Sequence, residues 1–240
     1  MYIVGEFDPA QIRCNEKAME ETIRLDEKSE KLIMTESEFF QNASLLIGYV
    51  NVRSLGAHWK HVQKDFEMMQ CDVLGFGETW LEKGQSVDHI PFFGHYLNAG
   101  KGKGLSSFTK LQPTSTEQIL KEKYSLMKLV IDNKIIIFMY ISQHPPYCCC
   151  IKDIDSLIES SSMPTILLGD VNFDYSLRSH PIKDFLLLKK FTQLIKDPTH
   201  DEGGLIDHVY VNDAMMLLDV NIFKKPVCYS DHDEIFVRIN

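Results

Sequence analysis

The stretch Thr165-Ile166-Leu167-Leu168-Gly169-Asp170-Val171-Asn172 decides how this chain is read. Thr165–Leu168 is long enough for a buried strand and too short for a helix. The run then breaks into Gly169 and two polar residues. Asp170 and Asn172 are two apart, so an extended backbone would turn both to one face. The alternative is an Asx-type turn after a buried strand. The same pattern recurs along the chain. It appears in Leu46-Ile47-Gly48-Tyr49-Val50-Asn51-Val52-Arg53, in Val73-Leu74-Gly75-Phe76-Gly77-Glu78-Thr79-Trp80 and in Ile135-Ile136-Ile137-Phe138-Met139-Tyr140. Gly204-Leu205-Ile206-Asp207-His208 and Ser230-Asp231-His232 complete the series. Each sets a polar group beside an apolar run, where a sheet presents it at one rim. Residues from the whole chain would then meet in one place.

Strands are expected at Leu45–Val50, Val73–Gly77, Leu105–Thr109, Thr165–Leu168, Gln193–Lys196, Asp207–Val211 and Ile235–Ile239. Tyr124–Ile131 and Lys134–Ile141 flank Asp132-Asn133, which suits a hairpin. Leu55, Trp59, Val62, Phe66 and Met69, at spacings of three and four, predict one helix from Ser54 to Gln70. Helices are also expected at Ile151–Ser160 and Ile182–Phe191, and a Gly/Lys turn region at Asn98–Gly104. Hairpins mixed with strand–helix–strand units predict an α/β (α+β) chain. The expected architecture is a four-layer α/β sandwich, two mixed β-sheets packed face to face with outer helices.

A chain of 240 residues with 44% apolar and 25% charged residues has the composition of a soluble globular domain. Residues 1–43 read as an acidic helical leader or linker, with 5 Lys/Arg against 10 Asp/Glu. The domain proper is expected over residues 44–240, with 20 against 24. Four of those acids are candidate site carboxylates, so the rest of the domain is neutral by count. The net charge of −9 therefore permits polyanion binding without predicting it. The apolar runs are too short for a membrane span, and Met1–Glu6 lacks the pattern of a signal peptide. Six cysteines, three of them consecutive, fit reduced thiols better than a disulfide framework or zinc ribbon. An intracellular protein, nuclear or cytoplasmic, is the expectation.

The candidate chemistry is metal-assisted hydrolysis of a phosphate ester. Charge on the phosphate must be neutralised, a water aimed and deprotonated, and the departing oxygen stabilised. Mg²⁺ takes oxygen ligands and keeps several waters, so one or two carboxylates suffice. Glu78, straight after an apolar run, suits that place; a surface Glu ending a strand is the plainer reading. Asn51 offers an amide to Glu78 or to the phosphate, or is a turn residue. His232 with Asp207 matches an imidazole held by a distant carboxylate. Tyr140 brings a phenol, or only packing. His58, His61, His89, His95, His180 and His208 are read as structural or exposed, and taken alone His200 reads the same way.

Taken together, these motifs resemble the endonuclease/exonuclease/phosphatase superfamily. Its signature is an early Asn, a Glu-Thr after a strand, a strand-ending Tyr, Gly-Asp-x-Asn, a late Asp and a terminal Ser-Asp-His. All six occur in order between Ser44 and Asn240. Asn51-Val52-Arg53-Ser54-Leu55, Asp197-Pro198-Thr199-His200 and Gly203–His208 are closest in wording to mobile-element endonucleases, those of LINE-type retrotransposons and Helitron-associated proteins. Abasic-site endonucleases are less similar: they usually carry an Asp where this chain has Arg53. The usual Arg near the Tyr is also missing from Tyr140–Pro146.

The resemblance implies Mg²⁺, with Mn²⁺ as a substitute, on Glu78 assisted by Asn51, with Asp231 as a secondary metal or water contact. It implies Asp170 as the base for water, Asn172 and His232 on the non-bridging oxygens, Asp207 orienting His232, and Tyr140 on the phosphate or leaving group. Arg53 and His200 are candidate substrate contacts. The implied activity is nicking of DNA, with weak sequence preference, leaving a 3′-hydroxyl and a 5′-phosphate. The alternatives are a phosphatase or phosphodiesterase on inositol phosphates, phospholipid or RNA tails, and a non-catalytic domesticated remnant.

Overall fold

The computed structural model describes residues 35–41, 43–87, 91–158 and 162–240. The strands are β1 (Leu45–Asn51), β2 (Val73–Gly77), β3 (Phe93–Leu97), β4 (Leu105–Thr109), β5 (Ser115–Leu120), β6 (Tyr124–Ile131), β7 (Lys134–Ile141), β8 (Thr165–Asp170), β9 (Thr192–Gln193), β10 (Asp207–Val211), β11 (Val220–Lys225) and β12 (Glu234–Ile239). The helices are α1 (Glu36–Phe40), α2 (Leu55–Val62), α3 (Phe66–Gln70), α4 (Tyr147–Ile158), α5 (Pro181–Leu188) and α6 (Asp213–Met216). They form two mixed six-stranded sheets, ordered β11-β12-β1-β2-β4-β3 and β5-β6-β7-β8-β10-β9. Each holds one parallel pair, β1–β2 and β7–β8. This is the expected four-layer sandwich.

Side-chain alternation builds the layers. In β1, Leu45, Ile47 and Tyr49 join the shell between the sheets, while Leu46 and Val50 join the outer shell with Leu55, Trp59 and Val62 of α2. In β7, Ile136, Phe138 and Tyr140 face the inter-sheet shell, and Ile135, Ile137, Met139 and Ile141 face Cys150, Ile154 and Leu157 of α4. Strands buried on both faces explain why their sequences read as continuous apolar runs. Each such side chain contributes roughly 1.5–3 kcal/mol on burial.

That alternation also positions the polar strand ends. Asn51 has the parity of Leu45, Ile47 and Tyr49, and Asp170 that of Ile166 and Leu168. Asp207 has the parity of Val209 and Val211. With Tyr140, all fall on the side of the strands that faces the other sheet. Register finishes the work: Tyr140 pairs with Asp170, and Asp207 with Asp170 from the other side. Gly169 permits this close spacing. Its φ is +149°, and an added Cβ would lie 1.9 Å from the Met139 carbonyl oxygen. Gly169→Ala is therefore expected to lose about 2–3 kcal/mol of stability, through overpacking and backbone strain. A urea titration would show an unchanged midpoint if that crowding were absent.

Several boundaries differ from expectation. The Ser54–Gln70 helix is two helices, because the Asp65 carboxylate accepts the Met68 N–H (2.9 Å) and caps a new start. The helix expected at Ile151 begins at Tyr147, and its expected end at Ser160 lies outside the described residues. Gln193–Lys196 contributes only the two-residue β9, displaced by one residue. The hairpin is as expected, with Asp132 and Asn133 at φ +47° and +54°, the pair of positive angles a type I′ turn requires. Of the leader, residues 1–34 lie outside the described part. Its end forms α1, with a reciprocal Thr35–Glu38 capping box. Phe39 is buried against Phe223 and Phe40 packs on Phe236, so packing reaches back past Ala43. No helix among the described residues is long and apolar enough to cross a membrane.

Candidate active site

Two hydrogen-bonded chains meet where β1, β2, β7 and β8 end and β10 begins. The first runs through an amide. Asn51 Nδ2 donates to Asp170 Oδ2 (2.8 Å) and to Glu78 Oε1 (3.3 Å), linking the two sheets. The Trp80 indole N–H donates to Glu78 Oε2 (3.1 Å). Asp170 is buried and also accepts the backbone N–H of Asn172 (2.8 Å) and Asn172 Nδ2 (2.9 Å). Asn172 therefore does not follow Asp170 along an extended face. It sits at φ +51° and closes an Asx turn, which brings both groups together by a different route. Arg53, Ser54, Glu78 and Trp80 also have positive φ. Such angles cost roughly 1–3 kcal/mol each and concentrate at functional sites.

The second chain runs through an imidazole. His232 Nδ1–H donates to Asp207 Oδ2 (2.8 Å), the only polarity a carboxylate allows. Thr199 Oγ donates to the same oxygen (2.8 Å). Asp207 Oδ1 is buried with no hydrogen-bond partner among the described residues. Burial pulls His232 down, but the charge and hydrogen bond of Asp207, then Asp170 and Asp231, outweigh it and hold the ring up at about 9. Burial, then Asp207, push Asp170 up to about 8, against His232 and its N–H donors. Three N–H groups on one carboxylate favour its ionised form. Tyr140 donates to the Gly102 carbonyl (3.0 Å), and burial, then Glu78 and Asp170, push its phenol up.

At the rim, Asp231 Oδ2 forms an ion pair with Arg53 Nη1 and lies 3.4 Å from His200 Nε2. His200 and His232 share an isolated antiparallel bridge, and their rings pack edge to face. All ten residues expected from the sequence therefore gather in this one region. Residues not foreseen support them. Tyr49, buried inside a strand, accepts the Asp170 backbone N–H at its hydroxyl (3.0 Å). Ser230 Oγ donates to the Asn51 carbonyl (2.6 Å) and accepts the His232 N–H (3.1 Å). Thr199 and Ser230 stand inside quoted motifs, so spacing from Asp207 and His232 was the available signal. Tyr49 has the parity of Asn51 and was hidden in an apolar run.

The donor set fits a hard divalent cation. Glu78 and the side-chain carbonyl of Asn51 supply oxygen only, the ligand type Mg²⁺ prefers. Asp170, Asp207 and His232 offer atoms within 4.8 Å of one another, a concentration of charge that a cation would relieve.

His208, next to Asp207, is structural. Its Nε2–H donates to the Leu205 carbonyl (3.0 Å), and its Nδ1 accepts from Tyr210 (3.0 Å). Burial first moves it from the ordinary 6.5 down to about 4. The folded value lies below the unfolded one, so its contribution is complete above pH 6.5 and is lost as pH falls through about 4. About 3 kcal/mol is at stake. Urea midpoints measured from pH 7 to 4 should fall less steeply for His208→Gln than for the wild type.

No protein-family model matches this sequence, and no curated protein does either. Solved structures do match. An AP endonuclease from Archaeoglobus fulgidus superposes with a TM-score of 0.65 at 16% identity, covering 82% of this chain and 99% of that one. The 3′–5′ exonuclease NExo from Neisseria meningitidis gives 0.61 at 17%, covering 82% and 100%. The Haemophilus ducreyi cytolethal distending toxin gives 0.61 at 11%, covering 82% and 99%. The chain has the fold these proteins share, a four-layer α/β sandwich.

Proposed function

We propose that this chain is a Mg²⁺-dependent phosphodiesterase that nicks one strand of DNA and leaves a 3′-hydroxyl and a 5′-phosphate. The observation that carries the reading is the convergence of Glu78–Asn51–Asp170 and Asp207–His232 on one region from distant stretches of chain. DNA is favoured as substrate because the same fold in NExo is seen with a product DNA hairpin. A mobile-element origin rests on the motif wording, and residence in the nucleus or cytoplasm on a cysteine pattern that fits reduced thiols.

Glu78 and Asn51 would hold the metal, Mn²⁺ serving as a substitute, and the bound ion would neutralise charge on the phosphate. Asp170 takes the proton from water, held in place by Asn51 and Asn172. His232 presents Nε2 to a non-bridging oxygen while Asp207 fixes its ring and tautomer. Asn172 donates to a second oxygen. Tyr140, kept protonated by its surroundings, donates to the phosphate or leaving group.

A supercoiled-plasmid assay tests this. Nicking is expected with Mg²⁺, none with EDTA, and recovery on Mg²⁺ addition. Glu78→Ala should lower the rate about 10²-fold. Nicking that survives EDTA would refute the metal role. Hydrolysis of a soluble phosphate ester with none of DNA would move the reading to a phosphatase.

A further inference from the structure

Resting on the phosphodiesterase reading, we infer that Arg53 stands in for a second divalent cation. The chain then works with a single metal ion and grips a phosphate oxygen through a fixed guanidinium. The corner concerned is His200, Asp231 and His232, whose ligand atoms lie within 4.8 Å of one another. Two imidazoles and a carboxylate would suit a metal, and Asp231 reads as a metal contact from sequence. The hydrogen bonds fill the corner otherwise.

His200 Nδ1 accepts the Glu202 N–H (3.1 Å). In the neutral ring the proton is then on Nε2, the atom 3.4 Å from Asp231 Oδ2. That nitrogen is a donor toward Asp231 and has no lone pair for a metal. His232 has committed Nδ1 to Asp207, and its Nε2 lies 3.9 Å from Asp231 Oδ1. Asp231 Oδ2 is taken by Arg53. One carboxylate is thus surrounded by a guanidinium and two imidazoles. Asp231 Oδ1 is buried with no hydrogen-bond partner among the described residues, but a divalent cation reaching it would meet the charge of Arg53 on the same carboxylate.

Arg53 is placed for this work by its backbone. It sits at φ +44°, with its N–H on Asn51 Oδ1 (3.3 Å), and the next residue, Ser54, donates its N–H to the Glu78 carbonyl (2.9 Å). The turn that carries the cation is thereby tied to both residues assigned to the metal. The Arg53 side chain is 50% exposed, so guanidinium donors remain for a ligand. A planar fork of N–H groups matches a phosphate better than a point charge does.

Counting bound Mn²⁺ through the EPR signal of the free ion tests this without reference to turnover. The wild type and Arg53→Lys should bind a single ion. Arg53→Ala, which frees Asp231, and Arg53→Asp, which adds a ligand, should each bind a second. If Arg53→Asp fails to fold by circular dichroism, the Ala and Lys variants decide. A wild type that binds two ions, or an Arg53→Ala that still binds one, overturns the inference while leaving the phosphodiesterase reading intact. A wild type that binds none overturns both.

Discussion

Asp170→Asn is expected to lower Mg²⁺-dependent nicking about 10³-fold while leaving the fold intact. The substitution keeps the shape and removes the one group placed to accept a proton. General-base catalysis contributes about 10²–10⁴ in rate. The introduced amide would also face two others, those of Asn51 and Asn172, that now donate to a carboxylate. One of its positions would then set an N–H against an N–H, so part of the geometry is lost with the charge. Initial nicking rates, with circular dichroism to confirm folding, check this. Equal rates for the two proteins would remove Asp170 from the chemistry.

His232→Ala is expected to cost about 10²–10³ in rate, the worth of one preorganised contact to developing charge. Asp207 acts through His232, so Asp207→Asn should lose most of the same factor. The double variant should be no slower than His232→Ala alone. This non-additivity is the signature of two residues working as one unit. Multiplicative losses would mean that Asp207 reaches the substrate, or a metal, on its own. Its unpartnered Oδ1 makes that outcome a real discriminator.

The centre of the molecule was legible for a simple reason. Strands such as β1, β7 and β8 are buried on both faces, so their apolar runs stand out and their polar ends mark the rim. Asp170, Asp207, Asn51 and Tyr140 were found because each interrupts such a run. The edges were not legible. In β5, Ser115–Leu120 is almost wholly exposed and has no apolar face to show. Phe93–Leu97 of β3 is short, and only Leu97 of it is buried. The break between α2 and α3 was hidden because apolar spacing continues smoothly through Asp65, while the cap is a local hydrogen bond. Tyr49 was invisible for the opposite reason: its polar atom acts from within the apolar run it helps to form. Asn172 was read beside Asp170 from sequence, yet its turn geometry depends on a positive φ that its letter only permits.

Anomalous scattering from a crystal soaked in Mn²⁺ tests most directly whether these separate segments make one metal-dependent hydrolytic centre. The expected map has a peak in contact with the Glu78 carboxylate, with Asp170 and His232 facing it across a gap the size of a phosphate. Binding confined to some other surface, with Glu78 still bound to Asn51 and Trp80, would contradict it.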